Sequence, residues 1–374
     1  MIKSISLGDT NISKAYLGSE IIYSSSFDPL DLFAGGKQGI WLDLSDLSTM
    51  FQNEGGASLP VTKDGDPVGL MLDKSQGLEG TVTNVAKPFI SDRSSEHLDV
   101  TNTSDGTKLV IKILSNGSSL NIFEIGKTYR LSVIYSIPET ASDISVYNTA
   151  SGGSNFLFTA TKGVRNKAEV TLTAKSVALY FRTSVGEITI HEIVIKEIKG
   201  NHASQSLAAS RPTYRTDGVL HWLQFDGVDD ELRISVTLGN NSLLSAAVSS
   251  DRPSNSFVFG EVGRSAKIGL FGSAFFRLVS NGDSISIPYV AASRYIITGF
   301  RDNGYTSGRL NGVESKATAP NATAQTTWVT FGSANSASQY FSGSIYGAIL
   351  LNDYSAGKLL KIENYLSAKS GVTL

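Results

Sequence analysis

The chain has 374 residues, 41% of them hydrophobic and 18% charged, with a formal net charge of −2; this length predicts two domains and a short appendage, each domain burying its own core. No long basic run accompanies the small net charge, which argues against a nucleic-acid groove, an anionic membrane surface or phosphate binding. The complete lack of cysteine removes disulfides, thiolate metal sites and cysteine nucleophiles together.

The opening MIKSISLGDT lacks the charged-then-apolar pattern of an export signal, and no run approaches the roughly 18 apolar residues of a membrane span. The expectation is synthesis in a cytoplasm without membrane insertion. Residues 2–23 place apolar side chains at Ile2, Ile5, Leu7, Ile12, Ala15, Leu17, Ile21 and Tyr23, punctuated by Gly8-Asp9 and Gly18-Ser19. This spacing predicts three very short strands, an arm over residues 1–26 too small to be stable alone. After Ser24-Ser25-Ser26 the stretch to Ser75 is turn-rich. Ser45 or Asp46 suits the cap of a short helical turn through Met50 and Phe51. Pro67 to Leu72 reads as a buried strand.

From Gly80 to Ile198 the texture changes. KLVIKIL (108–114), TYRLSVIY (128–135), DISVYN (143–148), NFLFTAT (155–161), AEVTLTA (168–174), VALYFRT (177–183) and EITIHEIVIKEI (187–198) alternate an apolar with a polar face. Seven such runs predict a β-sandwich over residues 79–199. The sequence on either side reads as one interrupted domain, 27–78 and 200–374, so the inserted module's ends are expected to lie close together.

Beyond Asn201, strands are predicted at WLQFDG, ELRISVTL, NSFVFGEV, KIGLFG, FFRLVS, SISIPYV, YIITGFRD, GYTSGRLNGVES, WVTFGS and SGSIYGAILLN, and Asn311-Gly312 signals a two-residue hairpin. One helix closes the chain, with Leu359, Ile362 and Leu366 at helical spacing, Ser355 as N-cap and Gly371 as stop. The expected fold class is all-β: one sandwich inserted into a loop of another, an N-terminal β-arm and a C-terminal helix.

WLDLSDLSTMFQ, PVGLMLDKSQG, GNHASQ…RPTYR, FDGVDDEL and GSIYGAILLNDYSAGKLLKIENYLSAKSGV together resemble the concanavalin A-like (laminin G-like) jelly-roll proteins of tailed-bacteriophage virions, over roughly residues 29–76 and 200–374. SISLGDTNISKAYLGSEIIY resembles the β-arm that begins many phage tail and virion surface proteins. FEIGKTYRLSVIYS and SVALYFRTSVGEITIHEIVIKEI are similar to galactose-binding-like, carbohydrate-binding β-sandwiches. The resemblance implies a non-enzymatic virion protein, a tail fibre, spike or decoration, assembled in the host cytoplasm. It implies attachment to other virion proteins through the arm, contact with host surface polysaccharide and homo-oligomerisation, for which a trimer suits a fibre. A decoration protein without ligand and a capsular polysaccharide depolymerase are the alternatives.

A glycosidase needs two carboxylates flanking the sugar bond, and the Glu-x-Asp-x-x-Glu spacing of the related laminarinase-type enzymes is absent. The nearest acidic cluster is Asp226, Asp229, Asp230 and Glu231. Asp226-Gly227 suits a turn between strands, and a calcium site there would use Asp226 and Asp229 as hard oxygen ligands. His97, His191, His202 and His221 lack metal-ligand spacing; His191 reads as a solvated strand residue and His202 as a packing or turn residue. Trp41, Trp222 and Trp328 lie in or beside apolar runs and are assigned to cores. Candidate carbohydrate contacts are therefore loop residues: Arg301, Asp302, Asn303 and Tyr305, then Tyr340, and in the insert Tyr147, Asn148 and Asn155.

Overall fold

The computed structural model describes the chain outside residues 1–4, 8–9, 13, 18–19, 25–26, 56–58, 79–80, 87–88, 91–97, 103–107, 116–117, 121, 142, 150–155, 183–187, 240, 251–255, 262–266, 272–274, 281–282, 289–292, 303–304, 321–325 and 335–338. Over the strands of 5–24 and 81–120, at 302, 305 and 306 and at several strand ends it describes the backbone alone. The chain is all-β with one long C-terminal helix.

The outer unit is a sandwich. One sheet runs, in spatial order, Asp283–Pro288, Phe275–Ser280, Lys267–Phe271, Ser256–Glu261, Thr326–Phe331, Leu232–Leu238, Ala203–Ser204, Leu70–Met71 and Met50–Phe51. The other runs Thr213–Thr216, His221–Asp226, Ser342–Leu351, Leu243–Ser250, Arg294–Asp302, Tyr305–Leu310 and Val313–Pro320, with Gly39–Leu42 also paired to Ser342–Leu351. Met71, Ile234, Phe259 and Phe331 from the first sheet meet Ile40, Leu223, Phe225 and Ile345 from the second in one core.

Ser342–Leu351 is buried at every position. Ile345, Ala348 and Leu350 face the sandwich core, while Tyr346, Ile349 and Leu351 face the helix Ala356–Ser370. Leu359, Ile362 and Leu366 of that helix are buried against this sheet, each contributing about 1.5–3 kcal/mol. Ser355 accepts the first-turn amide of Lys358 at 3.3 Å, and Gly371 ends the helix in the left-handed region at φ 70°. Asp46 caps a 3-10 turn, Leu47–Thr49, and the chain then turns extended, so Met50 and Phe51 form a strand rather than the end of that turn.

Residues 81–198 form a second sandwich whose described strands pair only with one another. One sheet holds Leu98–Asn102, Lys108–Ser115, Leu179–Arg182, Ile144–Tyr147 and Phe156–Ala160, with Ser118–Leu120 on Lys108–Ser115. The other holds Gly163–Thr173, Thr128–Ile137, Thr189–Ile198 and Thr81–Ala86, with Phe89–Ile90 also on Thr189–Ile198. Tyr129, Leu131, Val133 and Tyr135 point into the core between them, against Val146, Leu157 and Phe181. The alternate residues Arg130, Ser132 and Ile134 lie on the other face, as the two-residue period requires.

The arm differs from its expected form. It comprises four strands in two hairpins, Ile5–Leu7 with Thr10–Ile12 and Lys14–Leu17 with Glu20–Ser24. Thr10 to Ile12, with a single strongly apolar residue, carries too little hydrophobic signal to register as a strand of its own.

Candidate functional site

The described chain leaves the outer sandwich through residues 73–78 and returns through 198–202, and one buried carboxylate ties both passages. Asp73, fully buried, accepts the amides of Trp41 and Ser75 on one oxygen, each at 2.8 Å. Its other oxygen takes the Ser75 hydroxyl and the Asn201 amide, also at 2.8 Å each. The Asp73 amide donates to His202 Nδ1 at 3.0 Å, which puts the ring proton on Nε2, 3.1 Å from the Ile198 carbonyl. Burial pushes the Asp73 carboxyl up against these donors and pushes His202 down. Gly200 sits at φ 141°, where a Cβ would come within 3.0 Å of the Asp73 carboxylate. His202 thus has a packing role, because both of its nitrogens are engaged.

Beside this junction Leu70, Leu72 and Ile198 form an apolar contact between the sandwiches, backed by Phe51 and Leu78. The Thr173 amide donates to the Gly55 carbonyl at 3.1 Å, and Lys175 pairs with Glu54 at 2.9 Å. Two recesses open on this interface. The first, about 390 Å³, is lined by Lys127, Thr128, Thr173, Glu197, Asn201 and His202 among others. Its Lys127 bridges Glu124 at 2.9 Å and Glu197 at 3.4 Å. Thr128 and Thr173 share a hydroxyl hydrogen bond of 3.0 Å.

The second recess, about 410 Å³, lies between the polar face of the inner sheet and the outer unit's Phe51 and Pro60. Both volumes fall in the range of small-molecule sites. Its floor is set by strand register. Arg130 stands directly between Thr171 and Lys196 on the neighbouring strands, and Ser132 between Glu169 and Val194. Lys167 pairs with Glu169 at 2.7 Å and holds that carboxyl below its usual range, with Arg130 and Lys196 adding to the effect from further off. Such a surface offers cations, hydroxyls and an apolar wall to one ligand.

The acidic loop lies elsewhere, between the strands His221–Asp226 and Leu232–Leu238. Gly227 at φ 77° makes the turn, and Asp226 Oδ1 accepts the amides of Val228 at 2.8 Å and Asp229 at 3.3 Å. Asp229 takes the Ser210 hydroxyl at 2.8 Å; Asp230 takes the Asp226 amide at 2.9 Å. One carboxylate oxygen from each of Asp226, Asp229 and Asp230 lies within 4.8 Å of the others. Asp230 is buried, and this burial together with the Asp226 charge pushes its carboxyl up to about 7. The three remaining oxygens suit a hard cation such as calcium, which takes six to eight oxygens in all.

The loop residues singled out in the sequence fare unevenly. Asn148 is fully buried and pins a turn: its amide donates to the Ser176 and Ala178 carbonyls, and its oxygen accepts the Lys175 and Ser176 amides. Arg301 is buried, with its amide on the Ser242 carbonyl. Neither is displayed for a ligand, because each sits where a strand runs into its turn rather than at the turn's tip. Tyr147 is half-buried against Phe156, ring to ring at 5.5 Å. Tyr340 is half-buried and feels the charges of Glu231 and Asp229, which brings it to the acidic loop. Asp302 and Tyr305 face each other across a hairpin; their side chains, with Asn303 and Asn155, lie outside the described residues.

Trp41 is buried, its indole donating to the Tyr365 hydroxyl at 3.0 Å, and Trp222 packs half-buried on Tyr346. The Trp328 side chain lies outside the described residues. His191 is half-buried and bonded to Ser136 at 2.6 Å rather than simply solvated, because a register shift in the paired strands brings them together. Arg130, Lys196, Ser132 and Thr171 were not singled out by sequence reasoning. Their only signal is their place on the polar alternation of TYRLSVIY, AEVTLTA and EITIHEIVIKEI.

No protein-family model and no curated protein matches the chain. Among solved structures, domain 4 of an extracellular arabinanase from Geobacillus stearothermophilus, in complex with arabinotriose, is similar at 16% identity and a TM-score of 0.34, over 41% of this chain and 80% of that one. The receptor-binding domain of botulinum neurotoxin type G is similar at 11% identity and a TM-score of 0.33, over 45% of this chain and 49% of that one, about half its length. Trypanosoma rangeli sialidase in complex with sialic acid is similar at 11% identity and a TM-score of 0.35, over 74% of this chain and 44% of that one. Likenesses this weak establish neither a shared fold nor a shared ligand.

Proposed function

We propose that the protein is a non-enzymatic, carbohydrate-binding component of a bacteriophage virion. The cleft between its two sandwiches takes the glycan, and the arm and outer sandwich hold it on the particle. The observation that carries the binding reading is the second recess, where hydroxyls, long charged side chains and an apolar wall converge on one small-molecule-sized space. Sugars are bound by that mixture, through C–H contacts on apolar faces and hydrogen bonds to hydroxyls. The virion reading rests on the sequence resemblance of the arm and of the flanking motifs. The non-enzymatic reading is supported by the acidic loop, where all three aspartates accept bonds that shape the turn. Many copies on one particle turn weak single-site affinity into useful avidity.

The test is incubation of the full-length protein with surface polysaccharides of candidate host bacteria, following both retention and chain length. Retention without shortening is the expected result. Shortened chains make the protein a depolymerase, and no retention on any polysaccharide makes it a decoration protein.

A further inference from the structure

We infer that the recess between the inner sheet and Phe51–Pro60 binds an acidic saccharide, its carboxylate held by Arg130 and Lys196; this rests on the carbohydrate reading above and specifies its ligand. Arg130 and Lys196 are direct cross-strand partners on one face of the sheet. Like charges directly opposite one another destabilise a sheet. Neither makes an ion pair among the described residues, and the one carboxylate on the same floor, Glu169, is paired at 2.7 Å with Lys167. Arg130 and Lys196 therefore share one lining carboxylate that is committed to Lys167 and reaches them only from further off, and a ligand carboxylate bridging the two relieves the excess of positive charge.

The rest of the recess says what carries that carboxylate. Thr171 and Ser132 place hydroxyls beside Arg130, in rows that lie about 7 Å apart along the strand, close to the width of one sugar ring. Phe51 and Pro60 close the recess from the outer sandwich with apolar surface, which suits the C–H face of a ring and has no use for a bare inorganic anion. The first recess is different. Its Lys127 is satisfied by two glutamates, and its other cation, Lys199, has no second cation directly opposite it as Arg130 has in Lys196. Because Phe51 and Pro60 come from one sandwich and Arg130 and Lys196 from the other, the site is composite and exists only where the two units meet.

The experiment is calorimetric titration of the full-length protein with trigalacturonate, neutral maltotriose and inorganic phosphate, repeated for Arg130→Gln, Lys196→Gln and the double variant. Arg130 is exposed and Lys196 half-buried, so the folded state is expected to persist, and thermal melts verify it. The expected result is binding of trigalacturonate that weakens with salt, falls about tenfold for each single variant and is lost in the double one. Equal binding of maltotriose, or a double variant that binds trigalacturonate unchanged, overturns the acidic assignment and leaves the carbohydrate reading standing. Phosphate binding as tight as trigalacturonate overturns it in favour of a bare anion site. Failure of both saccharides to bind overturns the inference, and if host polysaccharides are also not retained, the broader reading falls with it.

Discussion

Replacing Asp230 by asparagine tests the electrostatics of the acidic loop. Asp230 is buried beside Asp226 and Asp229, and its carboxyl is pushed from the ordinary 3.8 up to about 7, so the folded protein keeps a proton that the unfolded chain releases above about pH 4. This contribution to stability is fully present in acid and is lost as pH rises through about 7. The full span corresponds to at most about 4 kcal/mol, and water and side-chain relaxation reduce the realised value to about 2 kcal/mol. The introduced asparagine keeps the oxygen that accepts the Asp226 amide and carries no charge, so the Asp230→Asn variant lacks this loss. Calorimetric melts of both proteins between pH 5 and 9 should therefore diverge as pH rises, the variant ending about 4–8 °C higher. Other titrating groups are common to both, and the difference isolates Asp230. Parallel profiles would refute the burial argument. Adding millimolar calcium distinguishes proton from cation, since a cluster that holds the ion loses the upper part of its pH dependence.

At the junction, Asp73→Asn turns one acceptor oxygen into a donor facing the Asn201 amide and the Ser75 hydroxyl, and should cost about 2–3 kcal/mol in thermal melts; a loss below about 0.5 kcal/mol contradicts the pinning role. Glu363 is 1% exposed and gripped by Arg309 through two bonds of 3.0 and 3.1 Å. Arg309→Met is expected to cost about 3–5 kcal/mol by stranding that charge. Adding Glu363→Leu should restore most of it, and a double variant as unstable as the single one disproves the explanation. Ser355→Ala removes the cap on the Lys358 amide and should cost about 1 kcal/mol, read by chemical denaturation.

The inner strands were legible because each shows one face to a core and the other to water or the cleft, which produces the alternation seen at 128–135 and 187–198. Thr81–Ala86, Phe89–Ile90, Leu98–Asn102 and Ser118–Leu120 were not read as strands. They are short or rich in hydroxyl and amide side chains, and backbone pairing rather than pattern defines them. Leu243–Ser250 escaped for the opposite reason. It is buried along nearly its whole length between Arg294–Asp302 and Ser342–Leu351, so small serines and alanines replace any alternation. The C-terminal helix was legible to its caps, since Ser355, Gly371 and the apolar stripe act locally.

The cleft was not legible, because Phe51, Arg130 and Lys196 are far apart in the chain and come together only through sheet register and the packing of one unit on the other. On a strand taken alone, Arg130 is indistinguishable from any solvated residue. Tips of turns drew attention instead, and at Asn148 the polar side chain serves the architecture.

The pairing of Leu70–Met71 with Ala203–Ser204 also bears on how the molecule assembles. For an unfolded linker of about 130 residues, bringing those partners together is a long search. Once the inner sandwich has folded, its two ends stand side by side and the linker behaves as a turn of a few residues, lowering the closure entropy by on the order of 3 kcal/mol. During synthesis residues 29–76 must wait for the inner sandwich, so that unit acts as a timer: a mutation that slows its folding delays the outer sheet even where it touches none of it. Pulse-labelling hydrogen exchange should accordingly find protection at Thr128–Ile137 before Leu70–Met71.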